Sequence, residues 1–365
     1  MLRVISDDEV VRFQESMPMG QDPHHPTVSA LLRSRYALAN VRLERISGGH
    51  STQNYHAVDS SGSEVFVKVY PEGWDVRAEQ QAIALTRWAG GHGVPTARLR
   101  ESVDGELLAC SGAVALSVWE WVPGDTVSSG FTPAEQVMVG QALGRIHAVF
   151  AHHRLSRTLS PWTEEWFSAD LRETEARIDS LLGVIAGRDC RDEFDVTARS
   201  TLTDRRIMLA QVPDLLSDLS RDLGTQVLHG DFTPPNLLFD EQGLAAVIDF
   251  RPPVPYMLAF ELGRIAFDPR TVVLDEGWID SAARLITAYL RENTGIARQD
   301  VLVCGRVILV QMLRSLYGIE QHYLNPDPRQ AALDEFWQLR HRAAGRLLEN
   351  LEEVEAMLSG VSKRR

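Results

Sequence analysis

Between Val227 and Phe250 the chain reads Val227-Leu228-His229-Gly230-Asp231-Phe232-Thr233-Pro234-Pro235-Asn236-Leu237-Leu238-Phe239-Asp240, a turn at Glu241-Gln242-Gly243, and then Ala246-Val247-Ile248-Asp249-Phe250. Two short apolar runs bounded by turn residues predict a pair of strands. Asp231, Asn236 and Asp249 then fall at strand ends or in the connecting loop, where a rigid scaffold can aim three polar groups at one point. Asp231 has the chemistry of a proton acceptor for a hydroxyl group. Asn236 and Asp249 offer a neutral and an anionic oxygen to a hard divalent cation such as Mg²⁺, which prefers oxygen donors.

Upstream, Arg42–Ile46, Asn54–Val58 and Glu64–Tyr70 form alternating or apolar runs around turn signals at Ser47-Gly48-Gly49 and Ser60-Ser61-Gly62, which predicts a three-stranded antiparallel meander. Lys68 lies in the third strand. It is one of two lysines in the chain, with Lys363, while arginine supplies the other 35 of the 37 basic residues. A lysine kept inside an apolar strand against that bias invites a chemical role, because an ammonium group there needs an anion to meet it. The alternative is an edge strand with Lys68 in solvent. A helix predicted over Asp75–Ala89 carries Glu79, which can orient the lysine toward nucleotide phosphates; Glu72 is the rival. The loop Ser47-Gly48-Gly49-His50-Ser51 can cover phosphates with its backbone N–H groups, although a plain hairpin turn would look the same. It lacks the Gly-Lys-Ser/Thr and the following helix of a P-loop.

Two further strands are predicted at Arg98–Val103 and Val114–Val122, after which Pro123-Gly124 breaks the pattern. Thr132-Pro133-Ala134-Glu135 combines an N-cap, a proline at the first helical position and the glutamate of a capping box, so a helix runs to about Val149. More helices are expected at Glu164–Ile185, Glu193–Ala210, Glu261–Ala266, Gly277–Glu292, Val301–Tyr317 and Ala331–Leu358. The domain organisation expected is a nucleotide-binding lobe over residues 1–122, with a helical extension over 1–40, and a helical lobe over 123–365. That extension begins with a capping box at Ser6–Glu9 and a helix to Ser16, then a second helix from Pro26-Thr27.

The length of 365 residues and 44% apolar content allow two sizeable cores. A net charge of −13 speaks against nucleic-acid binding and is compatible with a cationic substrate. No signal-peptide or membrane pattern is found, so a cytoplasmic protein is expected, without a membrane partner. Cys110, Cys190 and Cys304 are three widely spaced cysteines, expected to be free thiols buried as small hydrophobes.

The spacing of His229-Gly230-Asp231 to Asn236, followed by Asp249-Phe250, matches a kinase catalytic loop and its metal-binding strand. With Ser47-Gly48-Gly49, Val67-Lys68, Val118-Trp119-Glu120-Trp121-Val122-Pro123-Gly124 and Leu143-Gly144-Arg145-Ile146-His147, in order over residues 46–264, the chain resembles the aminoglycoside phosphotransferase/choline kinase-like family of small-molecule kinases. The resemblance implies an α+β, bilobal protein-kinase-like fold, with a small antiparallel-sheet N-lobe bearing one main helix and a large, mostly helical C-lobe. It implies ATP, or GTP as the alternative, bound between the lobes with Mg²⁺. Lys68, Glu79 and the loop Ser47, Gly48, Gly49, His50 and Ser51 would hold phosphates, and backbone groups around Glu120, Trp121 and Val122 the adenine. Asp231 would be the base, and Asn236 and Asp249 the metal ligands. Gly230, where protein kinases carry arginine, favours a small-molecule acceptor. The expected reaction moves the γ-phosphate to a hydroxyl of a small molecule. An antibiotic, in resistance or self-protection, stands ahead of a homoserine-, choline- or thiamine-like metabolite, with a protein kinase or a non-catalytic nucleotide-binding module behind both, and a monomer or homodimer is expected.

The chain leaves the family pattern after Phe250, at Arg251-Pro252-Pro253. Arg251 pairs either with phosphate or with a surface carboxylate. Glu261 is expected to replace the later aspartate of the family. The acceptor-site candidates are Asp231, Arg251, Trp162, Trp166, Asp170 and Glu261, against core packing for the aromatics and solvation for the acids.

Overall fold

A computed structural model describes residues 25–46, 52–157, 160–217, 219–326 and 330–363. The helix expected over Ser6–Ser16 and the loop Ser47, Gly48, Gly49, His50 and Ser51 lie outside the described residues. Helix α1 (His25–Tyr36) precedes the meander β1 (Arg42–Ile46), β2 (Gln53–Val58) and β3 (Glu64–Tyr70). Helix α2 (Val76–Gly91) starts where the Asp75 carboxylate accepts the N–H groups of Arg77 and Ala78. Three more strands follow: β4 (Leu99–Arg100), β5 (Ala109–Ser111) and β6 (Val114–Glu120).

The helices are α3 (Pro133–Phe150), α4 (Pro161–Ser168), α5 (Leu171–Ala186), α6 (Glu193–Leu209) and α7 (Val212–Ser217). Next come β7 (Thr225–Val227), the hairpin β8 (Leu237–Asp240) and β9 (Gly243–Val247), and β10 (Pro255–Met257). The chain ends in α8 (Leu258–Ala266), α9 (Pro269–Leu274), α10 (Trp278–Glu292), α11 (Arg298–Arg314), α12 (Ile319–Leu324), α13 (Gln330–Glu349) and α14 (Leu351–Lys363).

Sheet order is β1-β2-β3-β6-β4, with β5 also on β6, and every pairing is antiparallel. Strand β3 is therefore interior, bonded on both sides, and places Lys68 opposite Asn54 on β2 and Ser117 on β6. An edge position for Lys68 is thereby excluded. The inward residues Tyr55, Ala57, Val65, Val67, Val69, Leu116 and Val118 pack with Val28, Leu31, Leu32 and Tyr36 of α1 into one core. The alternation of buried and half-buried residues along β3 is the period-2 signature of a sheet covered on one face.

The chain divides into two compact units. One contains Ser128–Leu228 and Val254–Arg365; the other runs up to Val127 and also takes in His229–Pro253. The division thus differs from a single cut at residue 122. The β8–β9 hairpin belongs with the sheet because its backbone is bonded there: Asp125 and Phe239 exchange two N–H···O bonds of 2.9 Å, and Val247 N–H donates to Pro95 O at 2.8 Å. Such pairing outweighs the hairpin's sequence position, since the backbone polar groups of buried Phe239 and Val247 need partners.

In the helical unit, α3 and α10 approach closely across two glycines. A Cβ on Gly140 would come within 2.2 Å of Leu285 O, and one on Gly144 within 2.5 Å of Tyr289 O. The Thr132 capping box forms as expected, with Thr132 N–H donating to Glu135 Oε2 at 2.7 Å and Glu135 N–H to Thr132 Oγ1 at 3.3 Å. Three expectations are corrected. The helix over 164–185 is two helices, because Ser160 caps α4 one residue before Pro161 and Asp170 caps α5. The helix over 331–358 is interrupted at Asn350. The strand over 98–103 shrinks to Leu99–Arg100, since Ser102 N–H turns to Glu106 O and Val103 N–H bonds Arg35 O.

Among the described residues, the one segment long and apolar enough to cross a membrane, Arg298–Leu324, has 72% of its most apolar window buried inside the protein, the packing of a core helix. The cysteines are free, but only Cys304 is buried; Cys110 and Cys190 are exposed, against expectation. Cys110 follows the buried Ala109 on β5, so its side chain leaves the opposite, exposed face of the strand. Burial pushes the Cys304 thiol up to about 12. A water-soluble thiol reagent at pH 8 is accordingly expected to label Cys110 and Cys190 in the native protein and Cys304 only after denaturation, as peptide mass mapping would read directly.

Candidate active site

Lys68 Nζ stands between two carboxylates of the same unit, 2.7 Å from Asp249 Oδ1 and 3.8 Å from Glu79 Oε1. All three side chains are largely screened from water, at 19%, 23% and 11% exposure, so their attractions are stronger than those of surface pairs. The nearer partner is Asp249 and not Glu79. Glu79 is held from its other side: Tyr70 Oη donates to Glu79 Oε1 at 2.8 Å and Trp74 Nε1 to Oε2 at 3.3 Å. Because the carboxylate only accepts, the Tyr70 hydroxyl gives it the proton and takes one from Ser117 Oγ at 2.8 Å, while Trp119 Nε1 donates to Ser117 at 2.9 Å. Burial, followed by the Glu79 charge, raises the Tyr70 phenol well above its ordinary 10, which keeps it a donor. Glu79, buried in the first turn of α2, fits the orienting role; Glu72 is exposed. Tyr70 and Ser117 were not legible as site residues. Their only sequence signal is register, which sets Ser117 opposite Lys68.

The loop after β7 closes on itself through His229. Its Nε2 lies 3.1 Å from Ile248 O, and Asp231 N–H points at Nδ1 at 3.2 Å. A carbonyl only accepts and an amide N–H only donates, so the imidazole carries its proton on Nε2. His229 is fully buried, with Phe250 packed at 4.3 Å and Phe232 edge-on at 5.6 Å. Asn236 Nδ2 donates to both Asp231 O and Asp231 Oδ2 at 2.9 Å, which fixes the carboxylate and turns the amide oxygen away from it. Ile248 N–H donates to Asn236 O at 3.0 Å, so Asn236 and Asp249 come from the same end of the β8–β9 hairpin.

Asp249 itself has φ +64°. The left-handed region costs a non-glycine residue roughly 1 kcal/mol, least for Asp and Asn, and such strain gathers at functional positions. The flanking bonds of Ile248 and His229 hold it there. Gly230 has φ +89°, and a Cβ on it would meet Arg251 Cβ at 2.7 Å. Arg251 N–H donates to His229 O at 2.9 Å, and its guanidinium Nη2 lies 3.9 Å from Asp231 Oδ2. The carboxylate beside Arg251 is thus the candidate base and not a surface acid.

Among the described residues no group of three or more His, Cys, Asp or Glu side chains could by itself hold a metal ion. The pair available, one amide oxygen of Asn236 and the Asp249 carboxylate, is a hard-oxygen set. It suits Mg²⁺, which typically takes one or two protein carboxylates and completes its shell with water and phosphate oxygens. The segment expected to meet adenine has these backbone bonds. Glu120 N–H is already bonded to Arg98 O at 2.8 Å and Trp121 N–H to Glu64 O at 3.4 Å, while the Trp121 ring packs on His56 at 4.0 Å. Two of the three backbone N–H groups in this segment are thus already bonded within the unit.

The remaining acceptor-site candidates lie in the helical unit. Trp166 is buried, its Nε1 donates to Gln311 Oε1 at 3.0 Å and Arg314 stacks over it at 5.2 Å. Trp162 is half-buried on α4. Asp170 caps α5 and pairs with Arg172 Nη2 at 2.9 Å. Glu261 is 2% exposed and bonds His147 Nε2 at 2.9 Å; His147 Nδ1 accepts from Tyr289 Oη at 2.9 Å, which in turn accepts from Asn293 Nδ2 at 2.7 Å. The structure shows Trp166 packed and hydrogen-bonded to Gln311, Asp170 capping α5 and Glu261 bonded to buried His147.

The sequence profile of the phosphotransferase enzyme family matches residues 42–298. No match was found among curated protein sequences. Among solved structures, an aminoglycoside phosphotransferase from Alicyclobacillus acidocaldarius is similar with a TM-score of 0.66 at 15% identity, covering 92% of this chain and 98% of its own. A spectinomycin phosphotransferase bound to ADP and spectinomycin gives 0.62 at 14% identity, covering 88% and 97%. An amicoumacin kinase bound to AMP-PNP, Ca²⁺ and its substrate gives 0.58 at 14% identity, covering 88% and 93%. Likeness at these identities establishes the protein-kinase-like fold.

The buried His147–Glu261 pair makes a direct test of the role of Glu261. Removing one partner of a buried hydrogen-bonded pair costs ~3–5 kcal/mol, so Glu261→Ala should lower the urea midpoint markedly. The double variant with His147→Ala should lose less than the sum of the two single losses. An unchanged midpoint in Glu261→Ala would remove the structural role assigned to it.

Proposed function

We propose that this chain, which belongs to the phosphotransferase enzyme family over residues 42–298, transfers the γ-phosphoryl group of ATP to a hydroxyl of a small molecule, with an antibiotic-type natural product as the leading acceptor class. The observation that carries the reaction is the clamp on Asp231, whose carboxylate is held by Asn236 at 2.9 Å in the same loop that aims Asp249 at Lys68. The acceptor preference is supported by the names of the similar structures, which act on spectinomycin and amicoumacin, and by the net charge of −13, which suits a cationic acceptor.

Asp231 takes the proton of the attacking hydroxyl and holds its oxygen in line with the phosphorus. Lys68, kept upright by Glu79, meets the phosphates of the nucleotide as a compact point charge. Asn236 and Asp249 would hold Mg²⁺, which when bound offsets the charge of the phosphate oxygens. Little covalent chemistry falls to the protein; positioning and electrostatics supply the rate. The burial of Asp231, at 2% exposure, limits water in place of the acceptor.

ADP release measured with MgATP across a panel of aminoglycosides, spectinomycin, other hydroxylated antibiotics and amino alcohols tests the reading, and turnover with the amino alcohols alone would shift it to a metabolite kinase. On the best acceptor, Asp231→Ala is expected to lower kcat by ~10²–10⁴-fold while nucleotide affinity holds. Lys68→Ala should weaken ATP binding, seen by calorimetry. Wild-type turnover in Asp231→Ala would remove it as the base.

A further inference from the structure

Arg251 follows Asp249 by two residues and comes to rest beside the other catalytic carboxylate. Its Nη2 lies 3.9 Å from Asp231 Oδ2. Several constraints hold it in place. Its N–H is bonded to His229 O at 2.9 Å, and its Cβ and Cγ occupy the space that a side chain at Gly230 would need, 2.7 and 2.9 Å from an ideal Cβ. Pro252 and Pro253 follow, and a residue before proline is confined to extended backbone. The two charged groups differ in access: Asp231 is 3% exposed at its side chain, Arg251 36%. A buried carboxylate therefore carries a partly accessible guanidinium on its flank.

We propose that Arg251 is a catalytic residue whose guanidinium contacts the oxygens of the phosphoryl group in transfer. This rests on the kinase reading above. In the reaction two anions converge on one hydroxyl oxygen, the base Asp231 and the γ-phosphoryl group, and they repel one another at close range in a screened site. A guanidinium on the carboxylate offsets that repulsion at the place where it arises. Lys68 is engaged by Asp249 and Glu79, 2.7 and 3.8 Å away, and its assigned role is at the nucleotide phosphates, whereas Arg251 is the cation placed on the Asp231 carboxylate. The planar fork of arginine matches phosphate oxygens in pairs, which an ammonium does not.

The step balances without any further reagent. The acceptor oxygen forms its bond to the γ-phosphorus as the bond from that phosphorus to the bridging oxygen breaks, and the bonding pair leaves with ADP. The hydroxyl proton passes to Asp231. Arg251 remains protonated throughout, so its contribution is charge and geometry. The transferred group is most loosely bound at the midpoint, when its three oxygens share the charge, and a donor fixed in advance acts most strongly there.

The acceptor is unidentified, so the test uses MgADP with aluminium fluoride, a mimic of the phosphoryl group in flight, and MgATP with water as acceptor. In the wild type, aluminium fluoride should tighten MgADP binding. Arg251→Gln is expected to lose most of that tightening and to lower acceptor-free ATP hydrolysis by ~10²-fold, the scale for one preorganised donor, with the Kd of MgADP alone changed less than threefold. Arg251→Lys should recover part of both, since it keeps the charge and loses the fork, and it also serves if Arg251→Gln folds poorly in a thermal melt. Tightening by aluminium fluoride that is equal in wild type and both variants would overturn the proposal, as would an effect confined to the KM of an acceptor. A wild-type protein that binds no MgADP and hydrolyses no ATP would instead remove the kinase reading, and this inference with it.

Discussion

An ammonium group on an interior strand has to be met by negative charge, and much of the smaller unit is arranged around that need. Lys68 is fixed on one face of the sheet by bonded strands on both sides, and its side chain is only 19% exposed, so its ammonium is largely withdrawn from water. Its two carboxylates arrive from opposite directions in sequence. Glu79 comes from the helix capped by Asp75, and Asp249 from the hairpin 181 residues further on. Removing either would leave the other pair unbalanced, which is why Tyr70, Trp74, Ser117 and Trp119 are committed to orienting Glu79.

The same economy governs the loop that carries Asp231. One buried neutral imidazole ties the two ends of the loop together by donating to Ile248 O and accepting from Asp231 N–H. One amide, that of Asn236, fixes the carboxylate with its nitrogen and turns its oxygen away. The strained φ of Asp249 is tolerated because backbone bonds on either side, at Ile248 and Arg251, determine the path. Rigidity of this sort fits chemistry that depends on placing charges before the reaction begins.

The local signals were legible where they arise from nearest neighbours. The meander boundaries and the Thr132 capping box follow from side-chain period and cap chemistry, which act within a few residues. The misreadings have other origins. Asp170 looked like a charge able to meet an amine, yet it ends one helix turn and begins another by accepting Arg172 N–H. Glu261 looked like a site residue but bonds His147, 114 residues earlier. Cys110 was expected in a core and sits on a strand with one neighbour. Glu261 has a partner remote in sequence and Cys110 lacks a second strand, whereas the Asp170 cap is local and competes with its reading as a free charge.

By itself the sequence determined most of the elements, the motifs of the family and the choice of Asp231, Asn236, Asp249 and Lys68 as candidates, because those depend on residue type and short spacing. Tertiary structure decided what they face. It placed the hairpin with the sheet through the Asp125–Phe239 and Val247–Pro95 bonds, chose Asp249 as the nearer partner of Lys68, and set Arg251 against Asp231. The physical reason is range: period, caps and turns are local, whereas a charge is compensated by whatever group the fold brings within about 4 Å of it.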